Sequence, residues 1–410
     1  MKIVMSLDPG ASLTKVIAKA EGAKKPYLVT MSPELVVVSR SAVDSYRAKF
    51  RGLGIPRPED DCWLECNGKV FAVGSLARNF RGDAGLKDLK YERAVYKAAA
   101  AIGVVVQKAY LGDSDNLSAE VSLDLAVLLP WGEYEDRDRF KKQLVKVLSD
   151  FTFRGVHLKV KLERVMCRPE GSGLVMARIA KKGPNWFRDR TIAVLMLGYR
   201  NVTVLTFKDG QLVAGESPEL GFFRLEENVI ARTSGQQPLA LARAIFRAYY
   251  TIMTTRTGDI TNPLHMEDLP MIQDLARSRD AELKANEVRS IVEAIAASRS
   301  DYWQELTRWL DGGLPRELDE VIICGGSSVY LQSELETYFE GESSRYNLTR
   351  LETLQNKSQV SIHWASEASL KIETLFNLKS SRYVEEALSF RLIDVYGLFW
   401  CFSRLQEAAA

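Results

Sequence analysis

The chain has 410 residues, too many for one ordinary hydrophobic core and suited to two lobes of about 150–200 residues each. Hydrophobic residues make up 46% and charged residues 26%, which excludes the disordered and low-complexity classes. Lys+Arg 55 against Asp+Glu 53 leaves a formal charge of +2, which argues against a broad basic face that wraps nucleic acid directly.

Residues 2–7 read as a buried first strand, not a signal peptide, closed by Asp8-Pro9-Gly10. A second strand at Thr14–Ala18 makes Pro9–Leu13 a hairpin turn. Leu35–Val38, Cys62–Cys66 and Lys69–Val73 are further strands, the last two joined by an Asn67-Gly68 turn, with Arg51–Asp61 a surface loop before them. Helical spacing follows from Leu89 to Val106, then an apolar strand at Leu123–Leu129 and a charged helix at Tyr134–Leu148, whose cationic face reads as solvated surface. His157–Val165 is a strand, Arg168–Gly173 a turn, and a helix is predicted from about Leu174. Lys181–Asp189, with Gly183-Pro184, reads as a polar linker near a lobe boundary.

The second half opens with strands at Ile192–Leu197, Val202–Lys208 and Leu212–Val213, the last two joined through Asp209-Gly210. Helices are predicted at Phe223–Thr233, Leu239–Tyr250 and Asp280–Leu310, then a strand at Glu320–Cys324, a helix from near Val329 and a last helix over 381–403. Both halves begin strand–hairpin–strand, a weak sign of duplicated topology. No apolar run reaches the ~18 residues that span a bilayer, so the expectation is a soluble, cytoplasmic protein with no membrane segment. Cys62, Cys66, Cys167, Cys324 and Cys401 are scattered, as are His157, His265 and His363; they read as reduced thiols and isolated imidazoles, not zinc ligands.

Three glycine turns lie at strand ends, where open α/β sheets hold nucleotides. Asp8-Pro9-Gly10-Ala11-Ser12-Leu13-Thr14-Lys15 offers a carboxylate for the water shell of Mg²⁺, backbone N–H groups and a hydroxyl for phosphate, and a lysine; it reads equally as an ordinary hairpin turn. Pro169-Glu170-Gly171-Ser172-Gly173 places an acid where it can orient an attacking water, or where it merely favours a helix start. Cys324-Gly325-Gly326-Ser327-Ser328 would let an adenine or ribose lie on the backbone while the serines cap the next helix, and it is also a common plain turn.

The order of these turns resembles the actin-like ATPase superfamily, and within it the ParM/StbA group of plasmid-segregating bacterial actins. Leu7–Lys15, Asn67–Gly74 with Leu76-Ala77, Leu128-Leu129-Pro130, Pro169-Glu170-Gly171, Val321–Ser327 and Arg391–Leu398 carry the resemblance across nearly the whole chain. It implies an α/β actin-like ATPase fold of two lobes, each with a mixed five-stranded sheet of ribonuclease H-like type flanked by helices. The first lobe would span 1–182 with a small inserted subdomain at about 32–90. The second would span 183–385 with a helical subdomain at about 225–315, and 386–410 would be a helix returning to the first lobe. Asp8 would sit by Mg²⁺, with Gly10, Ala11, Ser12 and Lys15 lining the first phosphate loop. Glu170 would orient the water, making it and Asp8 the catalytic pair, and Gly325, Gly326 and Ser327 would border the adenosine of ATP or GTP.

One position departs from the family. Where the second phosphate loop has an Asp, this chain has Met196, in Leu195-Met196-Leu197-Gly198-Tyr199-Arg200-Asn201. Gly198 would still offer its N–H, and Tyr199, Arg200 and Asn201 would border phosphate or form a polar hairpin tip. The expectation is a homopolymeric filament protein, with nucleotide binding a safer reading than fast hydrolysis. Its cargo would be DNA held through a small DNA-binding adaptor, or the filament would serve cell shape. A non-hydrolysing filament scaffold and a sugar or metabolite kinase on the same fold are the alternatives.

Overall fold

Two Asx-Gly dipeptides between apolar runs set the hairpins. Asn67 and Gly68, like Asp209 and Gly210, all have positive φ, the two-residue turn whose twist matches the flanking strands. The computed structural model describes residues 2–49, 54, 56–86, 88–110, 118–255, 266–341, 344, 346, 360–379 and 387–407. Residues 51–53 and 55 of the expected surface loop, and 381–386 of the expected last helix, lie outside the described residues. The chain divides into two compact units, Met1–Lys181 with Asp394–Ala410, and Lys182–Ile393.

The first unit is built on β1 (Lys2–Pro9), β2 (Thr14–Ala20), β3 (Tyr27–Met31), β4 (Leu35–Val38), β5 (Trp63–Cys66), β6 (Lys69–Val73), β7 (Ser118–Leu129), β8 (Phe151–Phe153) and β9 (Val156–Pro169). They form one sheet in the order β3-β2-β1-β7-β9-β8-β5-β6-β4. The first five are a mixed core: β2 is antiparallel to β1 and β3, while β7 runs parallel to β1 and β9. The five strands expected here continue into four more because β8 pairs with both β9 and β5. Helices α1 (Arg40–Ala48) and α2 (Ser75–Asn79) accompany the added strands, and α3 (Lys90–Tyr110) and α4 (Arg137–Leu148) follow.

Helix α3 buries Ala98–Ala101 and Val104–Val106 against Ile3, Met5, Leu7, Leu125 and Val127, each large side chain contributing roughly 1.5–3 kcal/mol. Strand alternation leaves Ser6 and Asp8 on the other face of β1. There Ser6 Oγ donates to Val395 O at 2.9 Å, in the closing helix of the unit.

The second unit contains β10 (Ile192–Leu197), β11 (Val202–Lys208), β12 (Gln211–Glu216), β13 (Glu320–Cys324) and β14 (Ser361–His363), ordered β12-β11-β10-β13-β14. β10 is antiparallel to β11 and parallel to β13, so its five strands repeat the connectivity of the core strands of the first unit. Helix α5 (Ser172–Lys182) lies in the first unit up to Lys181, and the helices of the second begin with α6 (Pro184–Arg188), then α7 (Phe223–Arg232), α8 (Pro238–Thr255), α9 (Pro270–Gln273) and α10 (Ala281–Gly313). They end with α11 (Gly326–Tyr330), α12 (Gln332–Glu340), α13 (Ser366–Phe376) and α14 (Leu388–Arg391); α15 (Ile393–Glu407) closes the first unit.

Four local readings are corrected. The expected linker is the end of α5 and the short α6, because Pro184 stands at a first helical position, where it lacks no needed N–H. Arg168 and Pro169 belong to β9, and α5 starts at Ser172. Helix α11 starts at Gly326, not near Val329, so Ser327 and Ser328 lie inside it and neither caps it. The single expected closing helix is two, α14 and α15, with Leu392 between them. No described helix is long and apolar enough to cross a membrane.

Candidate functional site

In the first unit, antiparallel register sets Asp8 opposite Lys15, and Lys15 Nζ lies 2.5 Å from Asp8 Oδ2. Both are buried, beneath the half-exposed turn Gly10, Ala11, Ser12. A Cβ on Gly10 would stand 2.5 Å from Leu13 O, so the turn closes this tightly only with glycine.

Glu170 follows the end of β9, largely buried, and its N–H donates to Leu129 O at 2.8 Å. The turn after it is gripped by Asp394 of α15, whose Oδ2 accepts Gly171 N–H at 2.6 Å and Oδ1 accepts Gly173 N–H at 2.8 Å. Burial, and then the charges of Asp8 and Glu170, push Asp394 up to about 7, against the pull of the two N–H donors. The three acids Asp8, Glu170 and Asp394 therefore share one electrostatic neighbourhood. Where α5 and α15 cross, a Cβ on Gly173 would overlap Asp394 O and one on Gly397 would overlap Gly173 O, so only glycine permits the approach.

In the second unit, the turns at Gly198–Asn201 and Gly325–Ser327 are brought together. Ser327 Oγ donates to Gly198 O at 3.1 Å, which also accepts Phe222 N–H at 3.1 Å. Gly325 has φ +101, and a Cβ there would overlap Leu197 O; a side-chain-bearing residue fits neither constraint. Gly326 lies against the Arg391 side chain, whose Cγ would be 3.6 Å from an added Cβ.

The polar groups of the second turn have partners within the chain. Gly198 N–H, expected to face a phosphate, donates to Asn201 O at 2.9 Å and closes the hairpin. Arg200 is ion-paired with Glu219 at 2.6 Å, and Asn201 Nδ2 donates to Ser217 O at 3.0 Å. Tyr199 OH donates to Glu226 at 2.7 Å. Burial pushes Glu226 up to about 7, which the Tyr199 hydroxyl opposes and Glu227 reinforces; Tyr199 is itself pushed far up, first by burial. Phosphate contact from Arg200 would require it to leave Glu219. Met196 is buried between Thr203 and Cys324, on the face opposite the core residues Leu195 and Leu197.

Sequence reasoning missed Asp394, Arg391 and Glu226. The tail segment Arg391–Leu398 was a signal for the first two, but their partners lie too far away in sequence for any local pattern to show. Among the described residues no group of three or more His, Cys, Asp or Glu side chains could hold a metal. A magnesium ion held mostly through waters and phosphate oxygens needs only one carboxylate beside it; that would be the part of Asp8, whose Oδ2 is paired with Lys15 at 2.5 Å.

Two units, each with an order of two antiparallel additions and two parallel ones about its first strand, define the two-lobed α/β actin-like fold. Three solved structures carry the comparison. Alp7A, an actin-like protein, has a TM-score of 0.60 at 16% identity, covering 100% of this chain and 98% of that one. Bacillus thuringiensis ParM with ADP has 0.56 at 10%, covering 99% of each. Apo psk41 ParM has 0.51 at 12%, covering 99% of this chain and 98% of that one. The chain thus has the actin-like fold of these bacterial proteins from end to end. No family model and no curated protein matches the sequence.

Proposed function

We propose that the chain is a polymerising actin-like protein that binds ATP or GTP with Mg²⁺ and assembles with copies of itself into filaments. The observation that carries this reading is the actin-like fold over the whole chain, shared with a ParM that holds ADP. The motif resemblance to plasmid-segregating actins adds the filament, its DNA cargo and a small DNA-binding adaptor as the partner.

In this reading Asp8 would stand beside Mg²⁺, and backbone N–H groups of Gly10, Ala11 and Ser12 would bind phosphate beside Lys15. Mg²⁺ supplies charge neutralisation of the phosphates when bound. Glu170 positions the attacking water. Gly325, Gly326 and Ser327 border the nucleoside, with Gly198, Tyr199, Arg200 and Asn201 next to them. Met196 favours a second reading, a filament scaffold that binds nucleotide without hydrolysing it, since an apolar buried residue stands where the family has its second carboxylate.

Light scattering and negative-stain microscopy, with and without ATP and Mg²⁺, together with phosphate release, test both. Nucleotide-dependent filaments that release phosphate support the first reading. Filaments that never release phosphate support the second. A monomer that phosphorylates a small molecule sinks both.

A further inference from the structure

We propose that Asp394 is the positioning residue for Glu170, holding the turn 170–173 so that the Glu170 side chain stands where a water is lined up. This rests on the reading of Glu170 given above. Glu170 is fixed on both sides. Its own N–H is tied to β7 through Leu129 O at 2.8 Å. The peptide after it donates, from Gly171, to Asp394 Oδ2 at 2.6 Å, and Gly173 donates to Oδ1 at 2.8 Å. Two N–H donors, one to each oxygen of a single carboxyl group, fix orientation as well as distance.

The first turn of a helix carries N–H groups without partners inside the helix, and a nearby acid ordinarily satisfies them. Here Asp394 accepts two of them, from a helix more than two hundred residues away. The grip has little slack. Gly171 has φ +94, and Gly173 lies directly against Asp394 O, with Gly397 against Gly173 O. Asp394 is 1% exposed, so water is poorly placed to substitute for it. The positive end of the α5 dipole favours the carboxylate at this spot.

The test uses the full chain as wild type, Glu170→Ala, Asp394→Asn and the double variant, with affinity for a fluorescent ATP analogue and single-turnover phosphate release as readouts. Asparagine keeps the shape but offers one acceptor for two donors. Asp394→Asn should slow phosphate release by about 10- to 100-fold, the scale of a misplaced catalytic group, with affinity changed by less than about threefold and no further slowing on the Glu170→Ala background. Wild-type release by Asp394→Asn, or full additional slowing in the double variant, overturns the inference while leaving Glu170 in its role. Equal release by wild type and Glu170→Ala removes that role, and this inference with it, without reference to position 394. Should Asp394→Asn fail to fold, Asp394→Ser replaces it with a smaller single acceptor. Failure of both to fold assigns Asp394 to scaffolding and overturns positioning.

Discussion

Asp8 and Lys15 neutralise one another in a buried pair, so removing one partner leaves the other charged and desolvated. Asp8→Ala should cost about 3–5 kcal/mol of stability in addition to weakening use of Mg²⁺-nucleotide. Denaturant unfolding beside Asp8→Ala/Lys15→Met, which removes both charges, checks this; the double variant should recover part of the loss. Glu226 offers a separate pH test. Its carboxyl is raised from 4.5 to about 7 by burial, so the folded chain holds the proton more tightly than the unfolded one. Its contribution is fully present below about pH 4.5 and is lost as pH rises through 7. Asp394, raised from 3.8 to about 7, acts in the same sense. Glu226→Gln keeps an acceptor for Tyr199, and its melting temperature relative to wild type should be higher at pH 7.5 than at pH 5, by the equivalent of roughly 1–3 kcal/mol. An unchanged difference across that range would remove Glu226 as a titrating burden.

At the level of elements, what the sequence made readable was local. The positive-φ Asx-Gly pairs and the continuous apolar runs announced β5–β6, β11–β12, β1, β7, β10 and β13 without any tertiary partner. The start of α10 was legible too: the helix was expected from Asp280, which caps it by accepting the N–H groups of Glu282 and Leu283. The serines after Gly326 misled, since a hydroxyl that looks like a cap from its neighbours in sequence is used instead on Gly198 O, across two strands. Of the site, the turns with Asp8, Glu170 and Gly325 were visible as strand-end glycines, whereas Asp394 was invisible because it acts 223 residues from Gly171. The α5–α15 crossing gives a prediction at this scale. Alanine ordinarily stabilises a helix by up to about 1 kcal/mol over glycine, but Gly173→Ala should destabilise by about 1–3 kcal/mol through overpacking against Asp394 O. Thermal melting decides the sign.

For the whole molecule, the proposed nucleotide binding predicts a mass-action effect. ATP with Mg²⁺ at about 100 times its dissociation constant should stabilise the folded chain by about 2.7 kcal/mol. A melting temperature that moves with neither ATP nor GTP concentration would count against any nucleotide role, whether or not filaments form. Such a shift would be lost in Asp8→Ala if that residue serves the metal.

The first unit is discontinuous, with the closing segment from Asp394 to Ala410 completing a body otherwise made of residues up to Lys181. On a ribosome adding about 5–20 residues per second, the stretch from Lys182 to Ile393 takes roughly 10–40 s to emerge. For that interval the nascent chain carries a nearly finished first body whose Gly171 and Gly173 amides still await Asp394. In the proposed reading, assembly competence therefore arrives late in synthesis, and premature oligomerisation on polysomes is held back by the order in which the chain is made.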